Sequence, residues 1–243
     1  MHVLFCMIIV LAVNWIAIFA YCSLQRFLEK VKNPKQDDMN LENTHSNKIL
    51  YKRVGLLKKL YQIVNRYVYG WVRYNIILAG HIPSYTIRKL FYKFVFRMNI
   101  CWKTVIFGGC EFRSPWNIKI GNSVIGANCI LDGRTGIEIG DNVVLGNGVH
   151  IWTQQHDVND PYFRANPWNK KKVVIHDRSW IASDSTILPG ITIGEGAVVA
   201  SRAYVNHDCD SFTIYGGVPA IKIGDRTHDL KYILSGKPTW HFY

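Results

Sequence analysis

Acidic residues are scarce at the start of this chain. The first hundred residues hold four Asp and Glu against fifteen Lys and Arg, whereas residues 101–243 hold thirteen against fourteen. The net charge of +12 is therefore concentrated at the N-terminal end. Such an excess suits nucleic acid or an anionic membrane. No recognised nucleic-acid motif accompanies it, which argues against nucleic acid as a partner. Paired cysteines are also missing. The six cysteines, at 6, 22, 101, 110, 129 and 209, form no CxxC pair. That spacing fits neither a zinc site nor a small disulfide scaffold, and it reads as free thiols in a reducing compartment. Hydrophobic residues make up 49% and charged residues 19%, which supplies a packed core and argues against wholesale disorder.

Charge is absent from residues 3–24, VLFCMIIVLAVNWIAIFAYCSL, where only Asn14 and Ser23 are strongly polar. At about 1.5 Å per residue a helix of this length spans about 33 Å, enough to cross a hydrocarbon core of about 30 Å. A cleaved signal peptide is the rival reading. Its apolar region is usually about 7–15 residues behind a basic start, and here only His2 precedes the run. Tyr21 before Cys22 argues against lipoprotein processing. Arg26, Lys30, Lys32 and Lys35 follow the run, and positive charge on that side places the rest of the chain in the cytoplasm.

Residues 1–28 are thus expected to be a single-pass transmembrane anchor in the inner membrane, and the polar residues 29–48 a linker. Residues 49–102 mix Lys and Arg with aromatic and aliphatic residues at helical spacing, as in LLKKLYQIVNRYVYGWVRYNIIL and IRKLFYKFVFRM. They read either as amphipathic helices packed on the body of the protein or as helices on the membrane surface. There each basic residue contributes about 1 kcal/mol near anionic lipid.

A six-residue period runs through the second half. Ile175, Ile181, Ile187, Ile193, Val199 and Val205 are spaced by six, and Ser179, Ser185, Ile191, Ala197 and Ala203 stand four residues after the first five. Ile139, Leu145 and Ile151 continue the period upstream, and Ile120, Ile125 and Leu131 show it with one deletion. Neither a helix nor a plain strand has this period. Three short strands per turn of a triangular coil do, with the aliphatic residue of each hexad pointing inward. Coils stacked about 4.8 Å apart would share backbone hydrogen bonds. Corners need residues that tolerate positive φ, and Gly121, Asn122, Gly126, Asn128, Gly140, Asn142, Gly146, Asn147 and Gly194 cluster near them.

The segments IGNSVIGANCILDG, IEIGDNVVLGNGVHIWTQQHDVNDP, WIASDSTILPGITIGEGAVVASRAYVN and IYGGVPAIKIG resemble the hexapeptide-repeat acyltransferases. The maltose, galactoside and surface-polysaccharide O-acetyltransferases are the nearest in pattern. The resemblance spans residues 103–226. It implies a mainly β fold, a left-handed parallel β-helix, with residues 227–243 as a C-terminal tail. It also implies a homotrimer with active sites between subunits and acetyl-CoA as donor.

The period breaks at 152–174. A connection that long inside a repeat is usually functional. Acyl transfer to a hydroxyl needs a base, and histidine, with an ordinary pKa near 6.5, suits that task at neutral pH. The family places its catalytic histidine in a T-x-x-H context where a loop leaves the coil, which here is Thr153-Gln154-Gln155-His156. Asp157 or Asp160 would orient the imidazole, bind sugar hydroxyls or merely hold a turn. Trp152 is a candidate for the acceptor site. Asp132 matches a position where related sugar acetyltransferases place an acceptor-binding carboxylate, though a corner aspartate reads equally well. The fold is shared with γ-class carbonic anhydrases, but no histidine between His81 and His150 completes their zinc set, so no metal is expected.

For the donor, the family's W-I-G-S strand corresponds to Trp180-Ile181-Ala182-Ser183, with Ser183 near the thioester and Trp180 lining the pocket or capping a corner. Ser201 lies in the A-G-[AS]-x-V-x-K-D-like run, where Arg202 replaces a glycine and His207 a lysine. In the closing motif Ile221 replaces a lysine, and Lys222 and Arg226 follow. Positive charge for the coenzyme A phosphates is thus expected at Arg202, Lys222 and Arg226.

The expectation is a membrane-anchored O-acetyltransferase facing the cytoplasm. It would act on a sugar or lipid-linked glycan, with membrane lipids met by residues 3–24 and the basic helices. Acetylation of a small molecule, or a non-catalytic β-helix scaffold at the membrane, are the alternatives.

Overall fold

The computed structural model describes residues 2–31, 47–163 and 171–237. Most of the expected linker and residues 164–170 of the expected loop lie outside the described residues, as do Lys32, Lys35 and the end of the tail. Two long helices come first, α1 (His2–Val31) and α2 (Asn47–Gly80), then the short α3 (Tyr85–Leu90) and a π-helical turn at Phe91–Val95.

The remainder is a parallel β-helix of about six coils. The first coil is β1 (Asn99–Ile100), β2 (Val105–Ile106) and β3 (Glu111–Arg113). The second is β4 (Ile118–Ile120), β5 (Val124–Ile125) and β6 (Ile130–Asp132), and the third β7 (Ile137–Ile139), β8 (Val144–Leu145) and β9 (His150–Ile151). The fourth is β10 (Val173–Ile175), β11 (Trp180–Ile181) and β12 (Thr186–Ile187), and the fifth β13 (Thr192–Ile193), β14 (Val198–Val199) and β15 (Tyr204–Val205). A bridge at Cys209 opens the sixth coil, and β16 (Thr213–Gly216) carries it on before β17 (Ile221–Asp225) folds back antiparallel. Strands three apart pair in parallel, which makes three faces. Face one contains β1, β4, β7, β10 and β13; face two runs from β2 to β17; face three contains β3, β6, β9, β12 and β15. The coil begins at Asn99, four residues ahead of the boundary at 103 expected from the pattern.

The hexad residues point inward as the period requires: Ile139, Leu145, Ile151, Ile175, Ile181, Ile187, Ile193, Val199 and Val205 are all buried. The small residues between them are rungs. Ser179 donates to the Gly194 carbonyl at 2.8 Å and Ser185 to Ala200 at 3.0 Å, each reaching the next coil. Cys110 and Cys129 occupy equivalent inward positions and donate to Gly126 and Gly146, both at 3.2 Å. Buried thiols are therefore core fillers here, and the five described cysteines are all free.

Most of the expected corner residues do not take a positive φ. Positive φ falls on Asn128 and Asn142 as expected, but also on Arg178, Asp184 and Arg202. Gly121, Gly126, Gly140, Gly146 and Gly194 are all absent from the positive-φ set, as are Asn122 and Asn147, and glycine is small there for another reason. A Cβ on Gly126 would stand 2.5 Å from the Gly146 carbonyl carbon, and one on Gly146 would stand 2.6 Å from the Ser183 nitrogen. Coils approach too closely at this corner for any side chain.

The helices close the open first coil. Val72, Ile76 and Ala79 of α2 are buried at helical spacing, and Tyr92 packs edge-on against Phe112, ring centroids 4.9 Å apart. Several basic residues of this region turn inward. Arg88 is buried and donates to the Pro83 and Ile106 carbonyls, and Lys89 donates to Trp102. Desolvation holds both pKa values below their ordinary range.

From Asn14 on, α1 is docked rather than free. Asn14 donates to Asn75 at 3.1 Å, Tyr21 to Asn65 at 2.8 Å, and Arg26 to the Arg97 carbonyl at 3.2 Å. The tail returns along the corner between faces one and two. Tyr232 donates to the Arg178 carbonyl, Leu234 to Asn142, and Asn122 to the Leu234 carbonyl, so one strand of chain straps several coils.

Candidate functional site

The loop leaves β9 at the corner between faces three and one. Its root is fixed by a buried threonine. Thr153 donates to the Asp132 carbonyl at 2.6 Å, accepts from the Thr135 amide, and receives the Thr135 hydroxyl on its own carbonyl at 2.8 Å. His156 stands exposed three residues further out. Its Nδ1 lies 2.6 Å from the Phe163 carbonyl oxygen, and its ring is parallel to that of Phe163 with centroids 4.4 Å apart. A carbonyl only accepts, so Nδ1 carries the hydrogen and Nε2 is the basic nitrogen.

The aspartates beside it hold turns. Asp157 accepts from the Asn159 amide at 2.9 Å and Asp160 from the Tyr162 amide at 2.8 Å, both Asx-turn contacts. The orienting group of the imidazole is a backbone carbonyl of Phe163, which side-chain motifs do not reveal.

Asp132 is fully buried, and its carboxylate is gripped by Arg134 at 2.8, 3.0 and 2.6 Å. The same hydrogen bonds raise the Arg134 pKa. Trp152 lies beside His150, centroids 5.9 Å apart, beneath the Arg113 guanidinium at 5.0 Å. Glu111 accepts from both Arg73 and Arg113 through one oxygen. Burial pushes its pKa up, but the two guanidiniums outweigh that and hold it below the usual carboxylate range.

The residues expected around the donor separate into groups. Trp180, 47% exposed, lies on face two. Ser183, Ser201 and Arg202 follow at the corner between faces two and three, where Arg202 donates its amide to the Ser183 carbonyl. Beside them the β16–β17 hairpin bounds a groove of 630 Å³ lined by Ala200, Gly217, Val218, Pro219 and Ile221. Lys222 extends from that hairpin and pairs with Asp225 at 2.7 Å. His207 sits apart, beyond β15 on the loop's own corner, with Nδ1 3.0 Å from Asn206. Arg226 also sits apart. Its guanidinium donates to the Arg178 and Gly196 carbonyls at the third corner. Within one chain, His156 and the Ser183–Ser201 corner thus lie on opposite edges of face three. No group of three or more His, Cys, Asp or Glu suited to a metal occurs among the described residues.

Residues 118–152 match the profile of the hexapeptide repeat of succinyl-transferase, and residues 172–207 that of the bacterial transferase hexapeptide (six repeats). A protein of Escherichia coli K12 named as a colanic acid biosynthesis acetyltransferase is 29% identical over 133 residues, covering 54% of this chain and 71% of the relative. A hexapeptide-repeat acetyltransferase of Vibrio cholerae, solved with acetyl coenzyme A, is similar at 26% identity and a TM-score of 0.57, over 63% of this chain and 84% of that one. A maltose O-acetyltransferase of Clostridium difficile 630 is similar at 25% identity and a TM-score of 0.55, over 64% and 87%. Its repeats are thus similar to those of the hexapeptide-repeat acyltransferases over residues 118–152 and 172–207.

Proposed function

We propose that this protein is an acetyl-CoA-dependent O-acetyltransferase acting on a sugar hydroxyl in surface-polysaccharide biosynthesis, with His156 as general base and a left-handed coil as its frame. The observation that carries the reading is the hydrogen bond from His156 Nδ1 to the Phe163 carbonyl, which leaves Nε2 to take a proton. The acceptor oxygen attacks the thioester carbonyl carbon as its proton passes to Nε2. The carbon–sulfur bond then breaks, and the coenzyme A sulfur leaves with the proton from Nε2. An amide at the Ser183 corner stabilises the developing oxyanion. The groove beside β17 takes the pantetheine arm, and Arg202 and Lys222 meet the phosphates. Trp152 serves the acceptor.

Because His156 and the Ser183 corner sit on opposite edges of one face, a complete site takes the two from neighbouring copies. This supports a homotrimer. The exposed apolar side of α1 supports a membrane anchor, and the basic residues that follow the apolar run, from Arg26 to Lys35, support a coil on the cytoplasmic side. By length and composition alone Ile9–Glu29 of α1 is apolar enough to cross a bilayer, with mean hydropathy 1.4, while its docking from Asn14 on leaves only its outer side for lipid.

His156→Ala is expected to reduce turnover on the order of 10²–10⁴-fold with the oligomer intact, and unchanged turnover would reject the assignment. A second reading, a non-catalytic scaffold, draws support from Arg226, whose guanidinium donates to backbone carbonyls. Isothermal titration with coenzyme A separates the two, since a scaffold gives no heat of binding.

A further inference from the structure

The helix that faces lipid and the loop that carries His156 meet at one corner of the coil. Tyr21 of α1 packs edge-on against Trp116, centroids 5.8 Å apart. Trp116 belongs to the 3₁₀ turn Pro115–Asn117, which makes the corner between faces three and one in the first coil. The loop emerges from that same corner two coils further on, about 10 Å along the axis at about 4.8 Å per coil. The side of α1 turned away from the protein is apolar, with Val10 67% and Ile16 66% exposed, and α2 adds Leu60, Ile63 and Val64 beside it. From residue 43 to residue 110 the chain has no Asp or Glu, which suits a surface of anionic headgroups.

A groove with charged side chains on partly apolar walls joins these parts. One section, of 260 Å³, runs from Arg26 and Glu29 at the end of α1 past Trp116 to Gly136 and Lys172, where the loop returns to the coil. It shares Lys119 and Glu138 with a second section of 480 Å³ along face one. Lys172 reaches Glu138 at 2.9 Å, and Lys119 is exposed. Polar contacts weld α1 to α2 and to the π-helical turn's flank, so the groove mouth keeps a fixed height relative to the lipid-facing side.

We propose that this groove receives the headgroup of a lipid-linked glycan acceptor held in the membrane, rather than a sugar free in solution. The inference rests on the acetyltransferase reading. It assigns Lys119 and Lys172 to the anionic link between lipid and sugar, and it lets the glycan extend around the corner to His156.

Purified full-length protein would be incubated with acetyl-CoA labelled in the acetyl group and with inner-membrane vesicles of the native host, then extracted with chloroform and methanol. The label should enter the organic phase on a glycolipid. The Lys119→Ala/Lys172→Ala variant should lose at least 10-fold of that transfer while its titration with coenzyme A matches wild type. Label confined to water-soluble sugars, no label in the organic phase despite coenzyme A binding, or a variant as active as wild type would each overturn the proposal. A wild-type protein that binds no coenzyme A would instead reject the enzymatic reading beneath it.

Discussion

His156 and Phe163 hold one another across the first turn of the loop: the imidazole Nδ1 donates to the Phe163 carbonyl at 2.6 Å, and the two rings stack with their planes parallel. Seven residues of chain thereby fix both the tautomer and the plane of the imidazole. Phe163→Ala keeps the carbonyl and removes the stack. Its kcat should fall on the order of 10-fold, because misplacement of a catalytic group is costly, while KM for acetyl-CoA stays put. Wild-type kcat would show that the stack has no part in positioning.

The two loop aspartates can be assigned by paired substitution. An asparagine keeps the oxygen that accepts from Asn159 or Tyr162 but has no charge. Asp157→Asn and Asp160→Asn should therefore retain most activity, and the alanine variants should lose more of it by loosening the turn. Inactive asparagine variants would mean that the carboxylate charge serves the imidazole or the sugar.

Arg134→Ala leaves the Asp132 carboxylate buried without its partner. The expected loss is about 1–3 kcal/mol, because Arg134 is itself 38% exposed and water can reach part of its place, read as a fall in the urea midpoint. Arg134→Ala with Asp132→Asn should recover part of it. Equal losses in both would place the damage in packing instead.

Acid stability should depend on Glu111. Its folded pKa is depressed, so its contribution is fully present above the unfolded value of about 4.3 and is lost as pH falls through the folded value. Thermal midpoints measured from pH 5 downward should drop less steeply in Glu111→Gln than in wild type. Parallel curves would exclude the residue as a source of the pH dependence.

Deleting α1 is a poor test of membrane attachment, because Ile18 and Cys22 are buried against the body. Replacing the exposed Val10, Val13 and Ile16 by serine spares the docked face. The triple variant should shift from the membrane to the soluble fraction at an unchanged thermal midpoint. Full retention in membranes would require attachment through α2 alone.

The coil was readable because its period belongs to the chain itself: each Ile or Val at six-residue spacing meets the same inward environment, from Ile139 through Val205. The loop is legible as an interruption of that period, and the T-x-x-H pattern singles out His156, which the structure shows exposed beyond the buried root at Thr153. Phe163 escaped notice because it contributes a backbone carbonyl, which every residue type supplies. Glycines 126 and 146 are opaque to sequence for a related reason: what excludes a side chain there is the next coil, twenty or more residues away in sequence.

Periodicity and composition by themselves determined the stacked strands, the broken hexad and the apolar first helix, since each depends on residues near one another along the chain. Which groups share a corner was decided only in three dimensions. Winding brings Trp116, Asp132 and the root of the loop into one column, carries Ser183 to the opposite edge of the face, and spends Arg226 on the carbonyls of Arg178 and Gly196. Docking of α1 on that same column is equally a tertiary fact. It rests on Tyr21 against Trp116 and on the pairs of Asn14 with Asn75 and Tyr21 with Asn65 that join α1 to α2, contacts between distant residues that no local pattern encodes.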